Sequence, residues 1–376
     1  MDKHNSEARL VIPINAPQIG EEEIEAVVKV LKSGVLTHGL GAGPMVKKFE
    51  EEFAKFVGAR HAIAVNSGTA ALHMAVLAAG VKRGDEVILP SFTFVATAET
   101  VVLAGAKPVF VDIDPETYTV SPEEVEKAVS GKTKAIIAVD LYGTSADMKP
   151  LREIADKHGL RLIEDAAQAH GAVYDGKPVG AYADMACWSF YASKNMTTGE
   201  GGMITTNDEE LAEKLRLIRC HGEQQKYMST LIGHNYRMPE IEAAIGLVQL
   251  ERLPNFLARR RENAERLIAK LCGAKNLQLP MEQPKCRNSW YLYTVRLMGA
   301  SRQKRDAVVE QLKSKGIGAE IYYPWPIHMM PPYRRYKRFK LTETEKASEQ
   351  VFSLPVHPGV KTEHVDYIAE TVLGLI

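Results

Sequence analysis

Net charge is the first thing this chain is without: 47 lysines and arginines offset 47 aspartates and glutamates. A neutral surface offers no general attraction to nucleic acid or to an acidic membrane. Cysteine is scarce as well. The four present, Cys187, Cys220, Cys272 and Cys286, stand far apart and show no CxxC spacing. That argues against a disulfide scaffold or a zinc ribbon and for reduced thiols. No apolar run approaches the roughly 20 residues that a membrane-spanning helix needs. The opening MDKHNSEARL is polar and mixed in charge, without the apolar core of a secretion leader. The expectation is a cytoplasmic protein with no bound metal, no nucleic-acid partner and no membrane partner.

The glycine loops of nucleotide enzymes are missing too. GLGAGP (39–44) has proline where a dinucleotide fingerprint needs its third glycine, and no strand precedes it. SGKTK (130–134) has Glu126 where a phosphate loop needs its first glycine.

What is present is a long alternation. HAIAV (61–65), EVILP (86–90), PVFVD (108–112), KAIIAVD (134–140), LRLIE (160–164), MACWSFY (185–191) and GMITT (202–206) read as buried strands, with helical stretches between the first five. Such alternation implies a mostly parallel seven-stranded sheet covered by helices on both faces. At 376 residues the chain exceeds one compact core. Residues 1–254 read as a large α/β domain and 255–376 as a smaller α/β domain. A long helical stretch from Pro239 to Leu271, broken near Pro254, joins them. The smaller part reads as a strand at 290–297, a helix at 302–316, a strand AEIYY (319–323), a Pro- and aromatic-rich loop, and a closing helix.

Three segments carry chemistry. NSGTAALH (66–73) follows a strand and opens a helix, with Gly68 and Thr69 at the turn. A helix N-terminus with a glycine is a ready anion site, although for this motif alone an ordinary cap by Ser67 or Thr69 is the plainer reading. IEDAAQAHGA (163–172) ends a strand on Glu164 and Asp165, where α/β sheets bind ligands. A capping aspartate is the plainer alternative, and His170 by itself reads as structural. WSFYASKNMTTGEGGMI (188–204) holds Lys194 among small and hydroxyl residues, with no charged residue within five positions. Alone it reads as a loop lysine. An anion cradle, a strand-end aspartate and an isolated lysine together are what pyridoxal phosphate (PLP) requires: a phosphate site, a partner for the ring nitrogen and an amine for the aldehyde.

In the order and spacing of these motifs the chain resembles the DegT/DnrJ/StrS-type sugar aminotransferases, which have the aspartate-aminotransferase fold. The resemblance runs from SGVLTHGLGAGPMVKKFE (33–50) to FSLPVHPGVKTEHVDYI (352–368). It implies that Lys194 holds PLP as a Schiff base, that Asp165 faces the ring nitrogen, and that Gln168 lies near the ring hydroxyl. PSFTFVATA (90–98) points to Phe94 as the ring-stacking aromatic, and Ser189 joins Gly68 and Thr69 at the phosphate. GHNYRMPEIEAAIG (233–246) makes Asn235 a contact to the neighbouring subunit's phosphate, and so implies a homodimer with shared sites. YYPWPIHMMPPYRRYKRFK (322–340) resembles the substrate-facing loop, making Tyr323 and His328 candidates for substrate binding.

The activity so implied is ping-pong transamination of a nucleotide-linked keto-sugar, with glutamate or glutamine as donor. Lys194 serves as the acid–base that moves the proton. KNMTTGEGGM resembles the branch acting at the 4-keto position. A 3-keto-sugar or keto-cyclitol aminotransferase and a non-catalytic regulatory member are the alternatives. Glu240 stands where many relatives have glutamine.

Overall fold

The structure, a computed structural model, describes residues 11–376; the polar segment MDKHNSEARL lies outside them. Six runs of apolar and β-branched residues form β1 (His61–Val65), β2 (Glu86–Pro90), β3 (Lys107–Val111), β4 (Thr133–Val139), β5 (Arg161–Asp165) and β6 (Met185–Ser189), and a seventh forms β7 (Gly202–Thr206). They make one sheet in the order β1-β7-β6-β5-β4-β2-β3. β2, β3, β4, β5 and β6 pair in parallel, whereas β7 is antiparallel to both β1 and β6. Six strands therefore point one way, and their carboxyl ends share one edge.

Helices cover both faces. Those that matter to the site are α1 (Glu21–Ser33), α2 (Pro44–Val57), α3 (Gly68–Ala78) and α4 (Ala96–Leu103), followed by α5 (Pro122–Ala128), α6 (Met148–His158), α7 (Glu209–Arg219) and α8 (Glu240–Leu271). α3 is apolar nearly all round and sits buried against the sheet, as its run of alanines allows. On the other face Phe49 and Phe53 of α2 pack on Trp188 and Phe190, with the Phe53–Trp188 centroids 5.3 Å apart. Burying one such ring contributes roughly 1.5–3 kcal/mol.

α1 and α2 were not anticipated from sequence. α2 begins on a glycine that has no side chain to cap it. The cap comes from Glu240 instead, whose carboxylate accepts from the Met45 N–H at 2.7 Å and the Val46 N–H at 3.4 Å. Glu240 is buried for this purpose.

Two expectations need correction. α8 is continuous over 32 residues and does not break at Pro254. Pro254 is exposed, and Leu250, Leu253 and Phe256 stay buried beside it. The helix survives because packing on its inner face outweighs one lost bond. AEIYY forms no strand beyond a single bridge, Glu320 to Ser353. Tyr323 has φ 62°, a left-handed backbone that no strand accommodates.

The C-terminal part builds a second core on a three-stranded antiparallel sheet of β8 (Leu277–Gln278), β9 (Tyr293–Leu297) and β10 (Val351–Leu354), with α9 (Arg302–Ser314), α10 (Thr342–Gln350) and α11 (Thr362–Leu373) around it. The boundary expected at 254/255 falls inside α8. Ile12, from the opposite end of the chain, bridges Ile317 and packs in this second core.

Candidate active site

A cleft of about 420 Å³ opens at the carboxyl edge of the sheet, where β1, β5 and β6 end. Its floor is built from the chain turns that leave these strands. After β1 the chain turns at Ser67, whose hydroxyl accepts from the Ala70 N–H at 3.1 Å and caps α3. Gly68 is the first helical residue, and a Cβ there would lie 2.7 Å from the Ser189 Cβ. The absent side chain leaves a small cradle between the start of α3 and the end of β6. The first N–H groups of a helix have no partner within it, and the dipole favours an anion at that point.

Asp165 ends β5 and is buried. The Thr97 hydroxyl donates to one carboxylate oxygen at 2.9 Å and the Ala167 N–H donates to the other at 3.3 Å. Burial raises the carboxyl above the usual aspartate range, opposed by these two bonds and by the charge of Lys194. Its side chain reaches the cleft without a bonded cation. A cationic ring nitrogen supplies what such a group lacks.

Lys194 lies in the turn after β6, its N–H donating to the Tyr191 carbonyl at 2.9 Å. Its ammonium sits 4.7 Å from the ring centre of Tyr291. The Ser193 and Tyr291 hydroxyls are 2.9 Å apart, which holds that ring in place. Gln168 is pinned at both ends: its carbonyl accepts from the Tyr142 N–H at 2.8 Å and its amide donates to the Tyr323 hydroxyl at 2.7 Å. Burial pushes the Tyr323 phenol strongly up, so it stays neutral. Phe94 stands 57 % exposed on the cleft wall, a half-open aromatic suited to stack on a flat ring.

The structure thus brings Gly68, Thr69, Phe94, Asp165, Gln168, Ser189, Lys194 and Tyr323 into one cleft. It does not bring His328. That imidazole is fully buried, 2.7 Å from the Ser91 hydroxyl and 3.3 Å from the Glu345 carboxylate. One ring nitrogen pins the 324–330 loop to the end of β2 and the other to Glu345 on α10, so it has nothing to offer a substrate. Asn235 lies on the exposed surface outside its own chain's cleft. His170 is buried between Trp188 and Phe190, where desolvation pushes it down to about 3. It is neutral filling.

The basic stretch 334–340 is also engaged elsewhere. Arg338 pairs with Glu86 at 2.6 Å, and Lys337 with Glu345 at 3.1 Å. Glu86 opens β2, at the edge of the sheet opposite the cleft. Sequence reasoning missed Tyr191, Ser193, Glu200, Tyr291 and Tyr322, which line the cleft. Tyr291 gave no signal because it sits in a run of aromatics that reads as strand. Trp290 beside it has φ 52°, and that turn aims Tyr291 at Lys194.

A helix start emptied by a glycine, a buried carboxylate without a cation and a lysine between them fit PLP, and fold and site together are those of a PLP-dependent aminotransferase. Residues 17–373 match the DegT/DnrJ/EryC1/StrS aminotransferase family, and the chain belongs to it. Among relatives, it is 44% identical over 352 residues to the "Pleiotropic regulatory protein" of Geobacillus stearothermophilus, covering 92% of this chain and 93% of that one. It is 40% identical over 360 residues to the GDP-perosamine synthase of Caulobacter vibrioides, covering 95% and 96%. Among solved structures, a putative sugar aminotransferase from Streptococcus pneumoniae in its PLP form superposes with a TM-score of 0.91 at 30% identity, covering 97% of this chain and 98% of that one.

Proposed function

We propose that the enzyme transfers an amino group from glutamate or glutamine to a nucleotide-linked keto-sugar, at the 4-keto position. One observation carries the reading: Lys194, Asp165 and the Gly68–Ser189 cradle, distant in sequence, meet in one cleft. Gly68, Thr69 and Ser189 would hold the phosphate, Asp165 the ring nitrogen, Gln168 the ring hydroxyl, Phe94 the ring face and Lys194 the aldehyde. When bound, PLP supplies an electron sink that stabilises charge on the carbon losing its proton. With the cofactor bound, the Lys194 amine would take the proton from the donor's α-carbon as a base and deliver it as an acid to the carbon that bore the aldehyde. Asp165 keeps a proton on the ring nitrogen through a charge-assisted bond. Tyr323 keeps Gln168 oriented and walls the side where the sugar enters.

The 4-keto assignment is supported by KNMTTGEGGM and by the similarity to a protein named GDP-perosamine synthase. A homodimer is supported by apolar surface that this chain leaves open. Leu31 on α1 is 53% exposed, and Tyr227 and Ile232, which precede Asn235 in the chain, are 85% and 91% exposed. We propose that this region carries Asn235 to the partner's phosphate. A cytoplasmic location is consistent with the described residues, in which no helix is long and apolar enough to cross a membrane.

The test offers nucleotide-linked 4-keto- and 3-keto-sugars and a keto-cyclitol, each with glutamate and with glutamine, and weighs the products. An aminated 4-keto-sugar is expected. Amination of only the 3-keto-sugar or the cyclitol overturns the substrate assignment. The name of the Geobacillus relative favours a second reading, a regulatory role. A chain that holds PLP yet converts no substrate in the panel would support it.

A further inference from the structure

Two further acids lie behind Asp165, on the opposite face of the sheet. In the β4–β5 ladder Ala138 pairs with Glu164 and Val139 with Asp165. Side chains alternate faces along a strand, so Asp140, two residues beyond Ala138, shares a face with Glu164 while Asp165 takes the other. Both are buried, Asp140 at 0% and Glu164 at 1% exposure. One oxygen of each takes a backbone N–H: Asp140 from Ala146 at 2.9 Å, Glu164 from Gly180 at 2.9 Å. The other two oxygens, Asp140 Oδ2 and Glu164 Oε1, are buried without any hydrogen-bond partner. Each carboxyl shifts the titration of the other. Among the described residues no Lys, Arg or His bonds either carboxyl. The N–H of Asp140 donates to the carbonyl of Asp165 at 3.1 Å, so the same residue that enters the pair also holds the Asp165 backbone.

Two ionised carboxylates cannot share a dry site without a cation between them, and a carboxyl–carboxylate bond with one proton satisfies both. We propose that Asp140 and Glu164 hold one proton between them and act as a positioning pair for Asp165, fixing its backbone and limiting the charge behind it to one. This rests on the assignment of Asp165 to the ring nitrogen. Burial, the largest cause, pushes Glu164 up to about 7. Asp140 lies well above its ordinary range through burial and then the charges of Glu164 and Asp165. Cys286, with Asp147 beside it, feels the charge of Asp140 and rises to about 11, so it stays neutral. Cys187 on β6 is level with Asp165 and shares its face; it is pushed well up by burial and stays neutral too.

The pair predicts a pH signature that needs no cofactor. Unfolded, Asp140 and Glu164 release their protons near pH 3.8 and 4.5; folded, Glu164 is held up to about pH 7 and Asp140 well above its ordinary range. Between those values the folded chain binds the extra proton. The pair's contribution therefore falls as pH rises, by up to about tenfold in folding equilibrium constant per pH unit. Asp140→Asn and Glu164→Gln each replace the shared proton with an amide donor and leave one negative charge. Their stability relative to wild type is expected to climb across that window.

The second readout is the pH midpoint of the bound cofactor's absorbance in the holoenzyme. Each single variant keeps one charge and is expected to hold the wild-type midpoint. The double variant loses that charge and is expected to move it down by roughly half a pH unit. Stability curves parallel to wild type in a single variant, or a double variant whose midpoint stays with the singles, overturn the pair. If one single variant fails to fold, the other carries the same test. Asp165→Asn separates the two claims: an unchanged cofactor spectrum in it removes the ring-nitrogen assignment, while the cofactor-free stability curves still judge the pair.

Discussion

At the scale of the residue, Lys194 and Gly68 are the positions whose replacement says most. Lys194→Ala removes both the amine and the acid–base, and general acid–base catalysis alone is worth about 10²–10⁴-fold in rate. Turnover should fall by at least that much, while PLP still binds without a covalent bond, as dialysis and absorbance would show. Gly68→Ala puts a Cβ 2.7 Å from that of Ser189 and fills the cradle. The end of β6 or the start of α3 must shift to admit it, and PLP affinity should fall by tenfold or more, about 1.4 kcal/mol; unchanged affinity in a titration would remove the phosphate from this place. Lys194 stands out in the sequence only beside the Gly68 turn and the strand-end Asp165; alone it reads as a loop lysine. His328 was misread because a histidine beside aromatics in a substrate-like loop looks available until Ser91 and Glu345 are found on both its nitrogens.

At the scale of the element, the sheet was legible and its helical surroundings were only partly so. Strands buried on both faces must be apolar along their whole length, which is why EVILP and HAIAV stand out unaided. α2 gave no such signal, since its cap comes from Glu240, nearly 200 residues away. That contact explains Glu240: two N–H groups at the start of α2 share its carboxylate. Glu240→Ala should cost about 1–2 kcal/mol in thermal or denaturant unfolding, as loss of a helix cap does, and Glu240→Gln should cost less. A null effect would mean that α2 needs no cap. Pro254 misled for a related reason. Proline's cost to a helix is local, whereas the packing that carried α8 through it is tertiary and leaves no local pattern.

At the scale of the whole molecule, the proposed dimer rests on the exposed Leu31, Tyr227 and Ile232. Light scattering should report a dimer. Ile232→Asp, at 91% exposure, should shift it toward monomer and lower turnover together, because Asn235 leaves the partner's site with it. A monomeric wild type with full activity would contradict the shared site. The central claim is narrower still: one lysine carries the cofactor. Reducing the PLP-loaded enzyme with borohydride and mapping the modified peptide by mass tests it directly. The cofactor's mass should be retained on Lys194 and absent from the Lys194→Ala protein. Retention on another lysine, or on none, would contradict the account.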